Sequence, residues 1–173
     1  MLINTTSVAN ENLWKMADEA YNNNDSETGN RHLKELIESD PGNIDQTIRC
    51  LEKIYERGDR NNTQSRWMKY VSTRMAGLER LGHISANSPV YREIISQGLS
   101  QYLADRNLFV AAERHDDITE RNPYDLYWRS TRARAHNSLG LPGTRDHFEE
   151  LKKNKDMNHP DPWIRERWVR LKE

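Results

Sequence analysis

At 173 residues, 35% apolar and 31% charged, the chain is long enough for one domain or a short stack of repeats, but poor in material for a sheet covered on both faces. A mean hydropathy of -1.03 would suit a disordered chain, yet five Trp, seven Tyr, only six Pro and a net charge of -1 oppose disorder. No apolar run approaches the ~20 residues needed to span a bilayer, and a single cysteine, Cys50, excludes an internal disulfide and any four-cysteine zinc site.

The first helical stripe runs from Asn10 to about Asn23, where Leu13, Met16, Ala17, Ala20 and Tyr21 recur at spacings of three and four. The polar run from Asn22 to Ser26 interrupts it, and Asp25 or Ser26 is placed to cap a second helix with Leu33, Leu36 and Ile37 on its face. Asp40-Pro41-Gly42-Asn43 ends that helix, because proline lacks an amide donor and restrains the residue before it. Gly29, twelve residues before Pro41, is small enough for the two helices to approach closely. A third helix follows, with Ile44, Ile48, Leu51, Ile54 and Tyr55 along one side, Cys50 as a buried thiol and Gly58 as the terminating glycine. A longer helix over about 63–81 carries Trp67, Tyr70, Val71, Met75, Leu78 and Leu81 and ends at Gly82.

Ser88-Pro89 has the cap-then-proline order that opens a helix, and Val90, Tyr91, Ile94, Ile95, Leu99, Tyr102 and Leu103 carry it to about Asp105. Its partner, about 108–120, shows Leu108, Ala111, Ala112, His115 and Ile118 and closes on Asn122-Pro123, with Ala111 again twelve residues before the proline. The next helix runs from Asp125 to Leu139 and gives way to Gly140 and Leu141-Pro142-Gly143. A helix from Thr144 carries Phe148 and Leu151 and ends before His159-Pro160. Asp161-Pro162 opens a terminal helix over 161–172 with Trp163, Ile164, Trp168, Val169 and Leu171. Those two tryptophans, five residues apart, do not share one helical face well. One of them is therefore expected to point outward, as a partner contact or as a lid on the last hairpin. No window alternates apolar and polar residues long enough for a sheet, so the expected class is all-α, with about nine helices joined mostly by short connections.

A small residue followed by proline, with apolar positions in register between them, resembles the tetratricopeptide repeat (TPR), whose period is about 34 residues. Residues 10–43 carry the likeness through Leu13, Met16, Ala17, Ala20, Gly29, Leu33, Leu36 and Pro41. Residues 92–125 carry it through Ile95, Gly98, Leu99, Tyr102, Ala111, Ile118 and Pro123, and residues 126–160 through Trp128, Ala133, Gly140, Phe148 and Pro160 with a small insertion. Pro41 and Pro123 are 82 residues apart, which is not a whole number of such repeats, and the Trp67 helix has neither the small residue nor the proline. The resemblance implies one irregular α-solenoid of stacked antiparallel hairpins over residues 1–173, a non-catalytic adaptor or complex subunit that holds a protein or peptide segment on its concave face.

Chemistry-bearing motifs are sparse. The chain has no glycine-rich phosphate loop, no Gly-x-Ser-x-Gly, no His-Glu-x-x-His and no Cys-x-x-Cys, so no catalytic residue, cofactor or metal site is expected. His115-Asp116-Asp117 and Asp146-His147 carry ligand types, but no second histidine lies one helical turn from either, and Asp116-Asp117 and Glu149-Glu150 read as solvated faces. Within Tyr127 to His136, Arg129 and Arg132 share a helical face and His136 lies one turn on, three cations in line beside an aromatic. Such a row suits a solvated or partner-facing helix, an acidic peptide, or a nucleic-acid backbone. Lys152, Lys153, Lys155, Arg165, Arg167 and Arg170 extend this basic end: residues 121–173 hold 12 Lys/Arg and 8 Asp/Glu, where residues 1–60 hold 7 and 12. The expected partner-binding residues are Arg129, Arg132, His136, Trp67, Tyr70 and Trp163, facing a protein or peptide. RNA or phosphate held by the basic C-terminal third is the alternative. No basic-then-apolar leader is visible at the start, so a cytoplasmic setting is expected.

Overall fold

The computed structural model describes residues 5–57, 64–140, 144–155 and 158–172. These residues form nine α-helices and no strand: α1 (Thr5–Asn22), α2 (Ser26–Ser39), α3 (Ile44–Arg57), α4 (Gln64–Arg80), α5 (Pro89–Ala104), α6 (Leu108–Arg121), α7 (Leu126–Asn137), α8 (Thr144–Asn154) and α9 (Pro162–Lys172). The fold is all-α, as the periodicity predicts. Gly58 and Leu141-Pro142-Gly143, expected at helix ends, lie outside the described residues. Among the described residues no helix is long and apolar enough to cross a membrane. The chain divides into two compact units, residues 1–95 and 96–173, with α5 running through the division.

In the first unit each helix packs on the next, α1 on α2, α2 on α3 and α3 on α4. Most positions of the predicted stripes supply the core: Ala17 and Ala20 of α1, Leu33, Leu36 and Ile37 of α2, and Cys50, Leu51 and Ile54 of α3 are all buried, whereas Met16, Leu81, Val90, Val169 and Leu171 are exposed, Leu81, Val90 and Leu171 because they stand at helix ends. Burial pushes the Cys50 thiol up to about 12, so it stays protonated. The α1–α2 turn contains Asn24 in the left-handed region, with φ 58°, a conformation that asparagine tolerates better than most residues. Asp25 then caps α2 by accepting from the Thr28 amide at 3.1 Å. Asn43, just past Pro41, caps α3 in the same way through the Gln46 amide, also at 3.1 Å. At the end of α4, Gly82 takes φ 83° and the His83 amide reaches back to the Leu78 carbonyl at 2.9 Å, a left-handed glycine stop. The start of α1 at Thr5, ahead of Asn10, carried no periodic signal, since Val8 in that first stretch is 52% exposed.

Gly29 decides how closely α1 and α2 approach. A Cβ at this position would lie 2.6 Å from Cε1 of Tyr21. The ring is held there by its hydroxyl, which donates to Asn30 Oδ1 at 2.6 Å. Burial is the chief reason that the hydroxyl's pKa is raised well above the usual tyrosine value.

The second unit encloses α6. Leu99 and Tyr102 of α5, Val110 and Ala111 of α6, Ala135 of α7, and Trp163, Ile164 and Trp168 of α9 form one apolar cluster. Ala112, Leu139 and Phe148 of α8 form a second, and Phe109 packs against both. Arg106 in the left-handed region, φ 60°, turns the chain from α5 into α6. Asp125 and Asp161 each accept from an amide two residues on, at 2.9 Å, and so start α7 and α9.

Helix propensity alone would make Gly29→Ala stabilising by ~1 kcal/mol. The ring contact reverses the sign: Gly29→Ala is expected to destabilise by about 1–3 kcal/mol, read from the urea midpoint at unchanged m-value.

Candidate functional site

Helix α6 is buried on every side over residues 110–118, although that stretch includes Glu113, Arg114, His115, Asp116 and Asp117. A helix facing one neighbour buries one stripe, and a buried charge needs a partner. Three later helices supply the partners. Asp116, with no exposed surface, accepts from Arg132 Nε at 2.6 Å and has His136 Nε2 at 2.7 Å, both on Oδ1, while Lys152 Nζ donates to Oδ2 at 2.9 Å. Arg167 of α9, 2% exposed, donates from Nε to Glu113 at 2.8 Å, from Nη1 to Asp117 at 2.9 Å and from Nη2 to Glu120 at 3.2 Å. Trp168 Nε1 also donates to Glu113, at 3.3 Å. Arg121 closes on Asp117 at 2.6 Å, and the Arg114 guanidinium lies 5.0 Å and 4.9 Å from the ring centroids of Tyr102 and Trp163.

Burial by itself would raise the Asp116 pKa. The hydrogen bonds and charges of His136 and Lys152 outweigh it and hold the carboxyl well below the usual range. Burial would likewise lower Arg167, but Glu120, Glu113 and Asp117 raise it further above its ordinary value. His115 differs, because burial and then the neighbouring Arg114 push its pKa down to about 3. Its Nδ1 lies 3.2 Å from the Thr131 hydroxyl, and the ring is held neutral.

These contacts relocate most of the residues expected to meet a partner. Arg132 and His136 do share a face, as their spacing predicts, but that face covers Asp116. Asp116 and Asp117 are not solvated; they are 0% and 5% exposed. Trp163 and Trp168 are both buried, at 5% and 0%, and neither points outward, because α9 has apolar neighbours around both rings. Trp67 is also buried, with Nε1 donating to Glu27 Oε2 at 2.6 Å, and Tyr70 is half-buried, edge-on to Trp67 at 5.8 Å between centroids. Arg129 remains exposed, without a side-chain partner among the described residues. Of the basic end, Lys152 and Arg167 are engaged as above, and Arg165 donates to the carbonyls of His159 and Pro160 at 2.6 and 3.1 Å. Among the described residues no three His, Cys, Asp or Glu side chains are grouped to hold a metal ion.

The first unit carries a site that no sequence motif marks. A half-open groove of about 470 Å³ runs between α1, the end of α2 and α3. Trp14 lies at its wall, with Arg49 and Lys53 of α3 each 4.7 Å from its ring centroid. Lys53 also donates to Asp18, so residues four apart on α1 face residues four apart on α3. Asn10, Asn43 and Gln46 add amide groups to the wall, and Leu36 adds an apolar surface. The sequence signal was present: Trp14, Asp18, Arg49 and Lys53 are two i,i+4 pairs on first helices of adjacent hairpins, but nothing local says that they meet.

No family model, curated protein or solved structure matches this chain.

Arg167→Ala leaves Glu113 buried without its cation and Asp117 paired with Arg121, and is expected to cost about 3–5 kcal/mol, read by urea denaturation. The fold should also weaken in acid. The unfolded chain takes up a proton at His115 below pH ~6.5 that the folded chain refuses until about 3, so stability is full above that window and declines through it. Asp116, held ionised when folded, adds a further loss below pH ~4. Melting temperature should therefore fall steadily from pH 7 to 4, and His115→Gln should flatten the decline between pH ~6.5 and 4.

Proposed function

We propose that this chain is a non-catalytic protein-binding module, a TPR-like set of helical hairpins that takes a protein or peptide segment in the groove between α1 and α3. The observation that carries this reading is Trp14 with its two cations beside a row of amides. An indole face, flexible cations and carboxamides together bind a peptide: the ring covers an apolar side chain, and Asn10, Asn43 and Gln46 exchange hydrogen bonds with main-chain amides. The first hairpin, residues 10–43, is also the stretch whose residues most resemble the repeat, and the groove lies on its first helix and the first helix after it. An adaptor or complex subunit is the role such a surface fits. Mixed charge along the wall, with Glu11, Asp18 and Asp40 among Lys15 and Arg49, argues against a polyanion there. In the basic C-terminal third the engagement of Arg132, Lys152 and Arg167 by carboxylates argues against RNA.

A random-peptide display selection against the full chain tests the reading. Selected peptides should lose at least ~10-fold in affinity to Trp14→Ala and to Arg49→Ala, with helicity by circular dichroism unchanged. Peptides indifferent to both substitutions, together with RNA binding that weakens steeply from low to physiological salt, would replace it with the nucleic-acid alternative.

A further inference from the structure

A second surface lies on the other unit, and its chemistry differs. At the turn between α6 and α7, Tyr124 is 92% exposed and Leu126 is 76% exposed, the two largest exposures among the apolar side chains of the described residues. Leu126, with Tyr124 two residues before it, lines an open groove of about 690 Å³ together with Thr119, Pro123, Arg129, Ser130 and Arg132, and Asp116 and Glu120 complete it. Leu126, Arg129 and Ser130 stand at i, i+3 and i+4 and so share one face of α7. The groove thus joins an apolar lip to two guanidinium groups.

The two arginines differ in what they have free. Arg132 uses Nε on Asp116 while its side chain stays 46% exposed. Arg129 is exposed and has no side-chain partner among the described residues. Asp116 presents no surface, since Arg132, His136 and Lys152 surround it. A ligand approaching the groove therefore meets cations and hydroxyls before that carboxylate. Tyr and Arg are among the residue types that carry most binding energy at protein interfaces, and a guanidinium pairs bidentately with a carboxylate.

We propose that the α6–α7 turn and the adjoining face of α7 dock a segment of a partner protein in which an Asp or Glu side chain is flanked by an apolar one. The carboxylate pairs with Arg129 and Arg132, and the apolar neighbour covers Leu126 and Tyr124. Glu120 in the same groove disfavours a chain of phosphates and leaves room for a single negative group. This docking does not depend on the α1–α3 groove being occupied.

The test is fluorescence polarisation on the full chain with a fluorescein-labelled peptide bearing Leu-Phe between glutamates, its counterpart with Gln for each Glu, and a labelled oligouridine. The acidic probe should bind, and the Gln probe should bind at least ~10-fold more weakly. Arg129→Glu and Leu126→Ala should each weaken the acidic probe by at least ~10-fold; both positions are exposed, so neither change threatens the fold. Trp14→Ala should leave it unchanged, and a loss there would place the probe in the α1–α3 groove and overturn the proposal. Absence of binding, equal binding of the Gln probe, indifference to Arg129→Glu, or stronger binding of oligouridine would each overturn it as well.

Discussion

Five consecutive ionisable residues, Glu113 to Asp117, are buried on one helix. An unpaired charge in such a place costs several kcal/mol, so the second unit closes only if each finds its partner. The partners come from three different helices: Arg132 and His136 from α7, Lys152 from α8 and Arg167 from α9. Each of those helices is thereby pinned to α6 at one register. An apolar surface of similar area would hold them as firmly and specify their positions less, because hydrophobic contact is nearly indifferent to a slide along the helix. The apolar residues then complete what the charges align, with Trp168 both burying its ring and donating to Glu113.

The same pairing shapes what is left for partners. In a chain end with an excess of lysine and arginine, Lys152 and Arg167 face inward and Arg165 holds backbone carbonyls, while Lys153 and Arg170 stay exposed. Arg129, beyond the reach of this network, is what remains of the row that its sequence suggests. In the first unit the balance is different. Apolar stripes and a glycine contact hold the helices, few charges are buried, and the charged side chains that do meet, Lys53 with Asp18 and Arg49 beside Trp14, lie along a groove.

Helix positions were legible wherever backbone chemistry marks an end. Pro41, Gly82, Ser88-Pro89 and Pro123 each act through a missing amide, a fixed φ or a left-handed turn, and each lies at a helix end as predicted. The start of α1 was not legible, because Val8 and Ala9 are exposed and carry no stripe. Nor was the burial of α6. Periodicity marked Leu108, Ala111, Ala112, His115 and Ile118 as its inner face, and by the usual rule Asp116 and Asp117 then fell on the solvated side. The grouping of Arg129, Arg132 and His136 followed from helical spacing, but spacing gives a direction around one axis and not the neighbour that lies there. Trp163 and Trp168 misled for the same reason, since two rings on divergent directions are both buried when the helix has neighbours on more than one side.

The class of fold, the helices, most of their ends and most inner positions of the first unit are thus written in local sequence, because these depend on interactions among residues a few positions apart. Long-range packing alone turns the charges of α6 inward, sets Arg132 and His136 over Asp116, brings Trp14 to Arg49 and Lys53, and leaves Arg129 exposed. Those outcomes join residues 16 to 54 positions apart, and electrostatic pairing at that range depends on distance in space, which no local pattern encodes.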